Sequence, residues 1–325
     1  MDNYKVVKYT PSFYNEWNDF IKNSKNGTFL FHRDFMDYHN DRFEDYSLLV
    51  FKKTKLIAIL PANKVDREIY SHQGLSYGGV ILHKDIKLKK VVEVFESLLK
   101  HLKASGFENL IIKQIPSIYK HLFAEEVLYL MFVLKANLIR RDVLSVVDLR
   151  NKLKISKNRE EGYKRALKYH LVIKEEDDFE LFWNHILIKN LKSKHNVKPV
   201  HTVEEITKLK QLFPNNIRQF NVYDNDKIVA GATIFESHNV AHTQYISGDE
   251  NKNILGSLDF LHIHLIDVIF KNKKFFDFGT SNEKNGLKIN KGLQFWKEGF
   301  GARTDIQDVY KVDVNNYLLL KDVFV

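Results

Sequence analysis

The residues best placed to do chemistry lie near the C-terminus. Phe275, Phe276, Asp277 and Phe278 form an apolar run around one carboxylate, and the run ends in Gly279, Thr280, Ser281 and Asn282. A buried strand that closes on a glycine and small polar residues leaves backbone N–H groups free to meet a ligand, and loops at strand ends are common sites. A glycine- and lysine-rich stretch beginning at Gly286 then leads into Phe295, Trp296, Lys297, Glu298, Gly299, Phe300 and Gly301. The same residues also read as a plain strand–turn–helix, with Gly279 as the turn residue and the lysines in solvent. Composition leaves both readings open.

Two histidine segments come next. Ser71–Gly79 holds His72 and Tyr77 among Gly74, Gly78 and Gly79, glycines that would let the backbone approach a ligand closely. Ala241-His242-Thr243-Gln244-Tyr245 has its histidine and tyrosine in comparable places. Either histidine could hydrogen-bond a donor or acceptor molecule, or simply be satisfied by a neighbouring carbonyl. Other chemistries find little support. His262 and His264 stand two apart on an expected helix and face different ways, so no metal site is expected. His-Glu-x-x-His, Gly-x-Ser-x-Gly and Walker-type Gly-Lys-Ser/Thr patterns do not occur. Cysteine is absent altogether, which removes thiol nucleophiles, thiolate metal sites and disulfides.

The elements that must position these residues repeat along the chain. Leu49–Ala58 and Asn221–Ala230 both read as β-hairpins, apolar on apolar and turn on turn without a gap. Each is followed by a histidine segment, then by an apolar-periodic helix (Leu88–Ala104 and Ser257–Lys271), then by a strand (Asn109–Ile115 and Phe275–Phe278). Four elements recurring in order predict two related α/β domains, residues 1–148 and 149–325, each a mixed, largely antiparallel sheet flanked by helices. Between them Arg150–Lys174 is strongly basic, with only Glu160 and Glu161 against it, and its centre Asn158–His170 reads as a helix. That stretch could bind phosphates or be a solvated helix face. A further helix is expected over Asp178–Ser193.

A chain of 325 residues suits two domains, and with 44% hydrophobic residues it can bury real cores. The formal net charge of +9 comes overwhelmingly from lysine rather than arginine, which argues against dedicated nucleic-acid recognition and leaves no expectation of DNA binding. The polar start Met1–Lys5 lacks a signal-peptide pattern, and apolar runs such as Val127–Leu134 are far short of the ~20 residues that span a bilayer. A soluble cytoplasmic protein is expected.

The run Asp277-Phe278-Gly279-x-Ser281, followed by Phe295-x-Lys297-x-Gly299-Phe300-Gly301, resembles the C-terminal signature of the Fem-type transferases of the GNAT acyltransferase superfamily. The likeness covers roughly Arg159–Ala302. Ala230-Gly231-Ala232 and Ala241–Tyr245 sit where that family has its central strands, and Gly27–Leu30 with Ser71–Gly79 resembles the first of its two GNAT-like domains. The resemblance implies an acyltransferase acting from a thioester such as acyl-CoA, as co-substrate rather than tightly bound cofactor, on an amine or hydroxyl of a cell-envelope sugar or related precursor. By resemblance Lys297 steadies negative charge on the donor or the tetrahedral intermediate, and Asp277 orients the nucleophile or accepts its proton. His242, Gln244, Tyr245, Gly256, Ser257, Gly279, Ser281 and Asn282 are the implied donor-binding residues. The implied acceptor side is His72, Tyr77, Gly78 and Gly79. Gly256 and Ser257 suit a helix N-terminus that meets phosphate, whereas Asp249 and Glu250 beside them would repel it. An aminoacyl-tRNA-dependent peptidyltransferase is the alternative reading, and a silent ligand-binding module of the same fold is a third.

Overall fold

The protein is described from a computed structural model over residues 4–325, and it divides into two compact units. The first comprises residues 1–142, 284–287 and 306–325, and the second residues 143–283 and 288–305. The C-terminal 306–325 therefore belongs with the first unit, whereas the repeat in the sequence assigns all residues after 148 to the second. The reason is a nonlocal pairing: Val309–Asp313 lies antiparallel to Asn109–Lys113.

In the first unit β1 (Tyr4–Lys8), β2 (Leu48–Lys52), β3 (Lys55–Leu60) and β4 (Ile81–Leu82) form an antiparallel sheet in that order. Helix α1 (Leu88–Ala104) buries Val91, Val92, Val94, Phe95, Leu98, Leu99 and Leu102, the stripe its periodicity requires. β5 (Asn109–Lys113) runs parallel to Glu68–Tyr70, and α2 (Glu126–Val133) adds Val127, Leu130 and Met131 to the same core.

β6 (Asn137–Asp148) leads into the second unit. There α3 (Lys157–Lys168), β7 (Val172–Glu176) and α4 (Ile188–His195) precede the antiparallel β8 (Ile217–Asp224), β9 (Lys227–Glu236) and β10 (Val240–Gly248). α5 (Ser257–His264), β11 (Phe275–Thr280), α6 (Lys291–Glu298) and β12 (Arg303–Asp313) complete the chain's main elements. Sheet order in this unit is β7-β8-β9-β10-β11-β6, antiparallel throughout except that β10 and β11 run parallel. One face packs Ala230, Ala232, Phe276 and Phe278 against Leu261, Leu265 and Phe300. The other carries Gln219, Thr233 and Tyr245 under Trp183. With both faces covered, the central β9 is buried along nearly its whole length.

The repeated hairpins agree in detail. Each slips register by one residue at the corresponding place, Val50/Phe51 and Val222/Tyr223. Each turns through a left-handed residue at the corresponding place, Lys53 (φ 56) and Asn225 (φ 51). The histidine segments do not match. Val240–Gly248 is a nine-residue strand, while residues 71–79 form no strand, and His72 sits at φ 65 in a turn. The helix expected over Ser257–Lys271 is α-helical only to His264 and continues as a π-helical turn, Leu265–Ile269. Among the described residues no helix is long and apolar enough to cross a membrane.

Candidate functional site

The parallel pairing of β10 with β11 is short. It covers only Val240↔Phe275, Ala241↔Phe276 and His242↔Asp277. β10 then continues to Gly248 and β11 to Thr280 with no further pairing between them among the described residues. Two bulges steer the strands apart. β10 shifts register against β9 between Thr233 and Ile234, which makes Gln244 the extra residue, and β11 shifts against β6 between Asp277 and Thr280. Gly279 lies in the second bulge at φ 68, a conformation that favours glycine.

His242 and Asp277 stand at the vertex. His242 Nδ1 lies 2.9 Å from Asp277 Oδ2, and the Gly279 N–H donates to Asp277 Oδ1 at 2.7 Å. Asp277 is 1% exposed. An ionised carboxylate only accepts, so Nδ1 is the donor in this contact and Nε2 is the ring's other nitrogen. Lys297 reaches the same turn from α6: its Nζ donates to the carbonyls of Gly279 (3.0 Å) and Thr280 (2.8 Å). Burial lowers its pKa to about 8, against the opposing pull of the Asp277 charge. The structure thus brings His242, Asp277, Gly279 and Lys297 into one cluster. Lys297 holds the strand-end turn through its carbonyls, and Asp277 orients a histidine.

Close to this vertex Asn282 Oδ1 accepts from Val143 N–H at 2.7 Å and ties the end of the turn to β6. Ser281 is 4% exposed, with its hydroxyl lacking a partner. Tyr245 is buried under Trp183 and shares a 2.6 Å hydrogen bond with His201 Nδ1; burial raises its pKa to about 12. The Gln244 amide oxygen is buried without a partner.

Gly256 and Ser257 are where α5 begins, but α3 lies across them. Gly256 adopts φ 71, and a Cβ there would fall 2.0 Å from the Gly162 carbonyl oxygen. A Cβ at Gly162 would in turn fall 1.9 Å from Asp259 Oδ2. These glycines serve a close helix crossing, and Ser257 is fully buried. Asp249 faces inward too: its Oδ1 accepts from Asn251 N–H, and Lys227 stands 3.6 Å from Oδ2.

Beside that crossing is a cavity of about 690 Å³, bounded by Ile246, Ser247 and Gly248 of β10, which pair with β9 but not with β11, by Arg159 and Arg165 of α3, by Lys252 and Asp259, and by Leu293 and Trp296 of α6. Asp259 anchors its floor, accepting from Arg159 Nη1 at 2.5 Å and Trp296 Nε1 at 3.0 Å; burial raises its pKa against the pull of Arg159. Arg165 donates from Nη2 to the Asn253 carbonyl at 3.2 Å, while its Nε is buried without a partner. No motif in the sequence marks Arg159, Arg165, Lys252 or Asp259 as site residues. The one signal for the arginines was the basic stretch Arg150–Lys174.

The first unit places its expected residues differently. Gly78 makes a close approach, but to protein: a Cβ there would meet the Ser71 carbonyl oxygen at 1.8 Å. Tyr77 is 4% exposed, packs on Phe31 and Tyr119, and donates to Thr28 Oγ1 at 3.1 Å. Burial drives the His72 pKa down to about 3, with the neighbouring His39 and Arg33 adding to the effect. Gly78 and Gly79 border a void of about 10 Å³, room for about one water.

No protein-family model matches this chain, and no curated protein sequence matches it. Solved structures share its fold. FemX superposes with a TM-score of 0.67 over 97% of this chain and 98% of its own, at 10% identity. L-PGS from Bacillus licheniformis gives 0.56 over 96% of both chains at 13% identity. A tandem GNAT protein from the clavulanic acid biosynthesis pathway gives 0.50 over 96% of this chain and 98% of its own, at 8% identity. At such identities the likeness concerns the fold: this chain has the tandem GNAT-like architecture.

Proposed function

We propose that this protein is an acyltransferase whose reaction takes place where β10 and β11 part, with an acyl thioester such as acyl-CoA as donor and an amine or hydroxyl of a cell-envelope sugar or related precursor as acceptor. The observation that carries this reading is the parallel pair that ends at His242/Asp277, beyond which β10 runs on to Ile246, Ser247 and Gly248 in the wall of a cavity of about 690 Å³. Strand backbone released from pairing supplies N–H donors for a developing oxyanion without any dedicated side chain. The cationic groups of Arg159, Arg165 and Lys252 suit the phosphates of a nucleotide-bearing donor.

In this reading the acceptor's lone pair attacks the thioester carbonyl and forms the new C–N or C–O bond. His242 Nε2 takes the acceptor's proton, with Asp277 as the positioning residue that keeps Nδ1 protonated. The tetrahedral intermediate collapses by breaking the C–S bond, and the departing sulfur takes the proton from His242 to leave as the thiol and restore the base. Lys297 holds the carbonyls of Gly279 and Thr280 and so fixes the turn on which this geometry depends.

Thermal melting with acetyl-CoA, CoA and aminoacyl-tRNA tests the donor. A ligand bound only by the folded state adds ~2.7 kcal/mol at a hundredfold excess over its Kd. A shift with acetyl-CoA, followed by thiol release in the presence of amino sugars, is the expected result. A shift with aminoacyl-tRNA alone would replace the thioester with an aminoacyl ester. No shift with any of the three would remove the basis for an enzyme and favour a binding module.

A further inference from the structure

The first unit carries an apolar surface that its own core does not use. α2 turns Val127, Leu130 and Met131 inward, yet its outer face presents Leu128, Tyr129 and Phe132, the last 81% exposed. The turn before it adds Leu122 and Phe123, the latter 99% exposed. A surface helix ordinarily has charged residues on its outer face, and this one has none after Glu126. A fully exposed aromatic ring offers ~150–250 Å², so Phe123 and Phe132 alone approach the patch size that marks an interaction site.

The charges around the patch favour an anionic partner. The acids at the start of α2 are answered within the chain, Glu125 by Lys120 at 2.8 Å and Glu126 by Lys25. Just past the helix Lys135 is exposed, and Asn316 donates to the Leu134 carbonyl at 2.8 Å. That bond brings up the C-terminal turn with exposed Leu318, Leu319 and Lys321, where Tyr317 has the ammonium groups of Lys100 and Lys103 over its ring. Asp313 and Asp322 are the acids in the same turn, and Asp313 Oδ1 is engaged by Asn315. Lys100 is paired with Glu96 at 2.6 Å, which leaves Lys103, Lys135 and Lys321 against Asp313 and Asp322 on this rim.

We propose that this face docks onto an anionic phospholipid bilayer, with Phe123 and Phe132 entering the headgroup–acyl boundary and Lys103, Lys135 and Lys321 against lipid phosphates. A fluid interface accepts single projecting rings, whereas a second copy of the chain would need a complementary surface of about 800 Å² per partner. α2 has eight residues and lies on the membrane rather than crossing it. Basic residues at such a surface each add to binding and make it salt-sensitive.

Sedimentation of the full chain with phosphatidylcholine vesicles, with and without roughly one third phosphatidylglycerol, tests this. Binding to the anionic vesicles, a loss of at least about tenfold in the Phe123→Ser/Phe132→Ser double variant, and partial loss in Lys135→Glu/Lys321→Glu are expected. Unchanged melting temperatures would show that the variants still fold, since all four side chains are exposed. Three outcomes would overturn the proposal. The wild type binds neither vesicle; binding survives the double phenylalanine variant in full; or light scattering finds a dimer that Phe132→Ser converts to a monomer, which would assign the face to a second copy.

Discussion

Replacing Asp277 separates a structural carboxylate from one that sets a histidine's protonation. In Asp277→Asn the amide oxygen still accepts from Gly279 N–H, where the carboxylate does so at 2.7 Å. The amide nitrogen now faces His242 Nδ1 across the former 2.9 Å contact. Two donors cannot share a hydrogen bond, so the imidazole proton moves to Nε2 and the basic lone pair to Nδ1. Stability should change by only about 1 kcal/mol, because one neutral hydrogen bond replaces each charged one. Acyl transfer should fall by ~10²–10⁴, the usual contribution of a positioned general base. Asp277→Ala removes both bonds and leaves a buried N–H unsatisfied, at ~2–3 kcal/mol or about 5 °C or more in Tm. Thiol release measures the rate, melting measures the stability, and nitrogen-15 NMR of the imidazoles reads the tautomer directly. If wild-type His242 already carries its proton on Nε2, or if Asp277→Asn leaves tautomer and rate unchanged, the assignment of His242 as base fails.

Other expectations follow from the same geometry. Lys297 has a folded-state pKa of about 8 against 10.5 for the free side chain. Its burial therefore opposes folding by about 3 kcal/mol below pH 8. Between pH 8 and 10.5 the unfolded chain binds the extra proton, so stability rises with pH there. Lys113, also lowered to about 8 by burial, adds a similar slope; Lys297→Met should remove roughly half the rise measured by denaturant titration across that window. Gly256→Ala places a methyl against the Gly162 carbonyl at a left-handed position. A loss of about 3 kcal/mol in chemical denaturation is expected, together with weaker donor binding. Arg159→Ala leaves Asp259 buried without its cation, and a destabilisation of ~3 kcal/mol is expected, largely relieved by adding Asp259→Asn in a double-mutant cycle. Arg165→Ala should weaken donor binding about tenfold by calorimetry while melting stays within about 1 kcal/mol of wild type.

Much of the fold can be read locally. Hairpin turns, the apolar period of Leu88–Ala104 and the strand through Phe275–Phe278 are set by residues a few positions apart, whose φ preferences and burial patterns act over one turn or one pleat. The duplication is legible for the same reason, and the structure extends it to matching register slips and left-handed turn residues. The candidate site is legible only in part. Asp277, Gly279 and Lys297 stand out as charged and glycine residues in an apolar run, and the structure does gather them. That His242 belongs to Asp277 does not follow from spacing: they are 35 residues apart, joined by a parallel strand pair only three residues long. Likewise Arg159 and Asp259 meet across 100 residues because Gly162 and Gly256 let two helices touch. The glycines of residues 71–79 read in sequence as room for a ligand, yet Gly78 admits the Ser71 carbonyl and Gly74 the His39 ring of the chain itself. A glycine records that something approaches closely, and only the tertiary packing decides what, because the approaching atoms come from segments that no local pattern encodes.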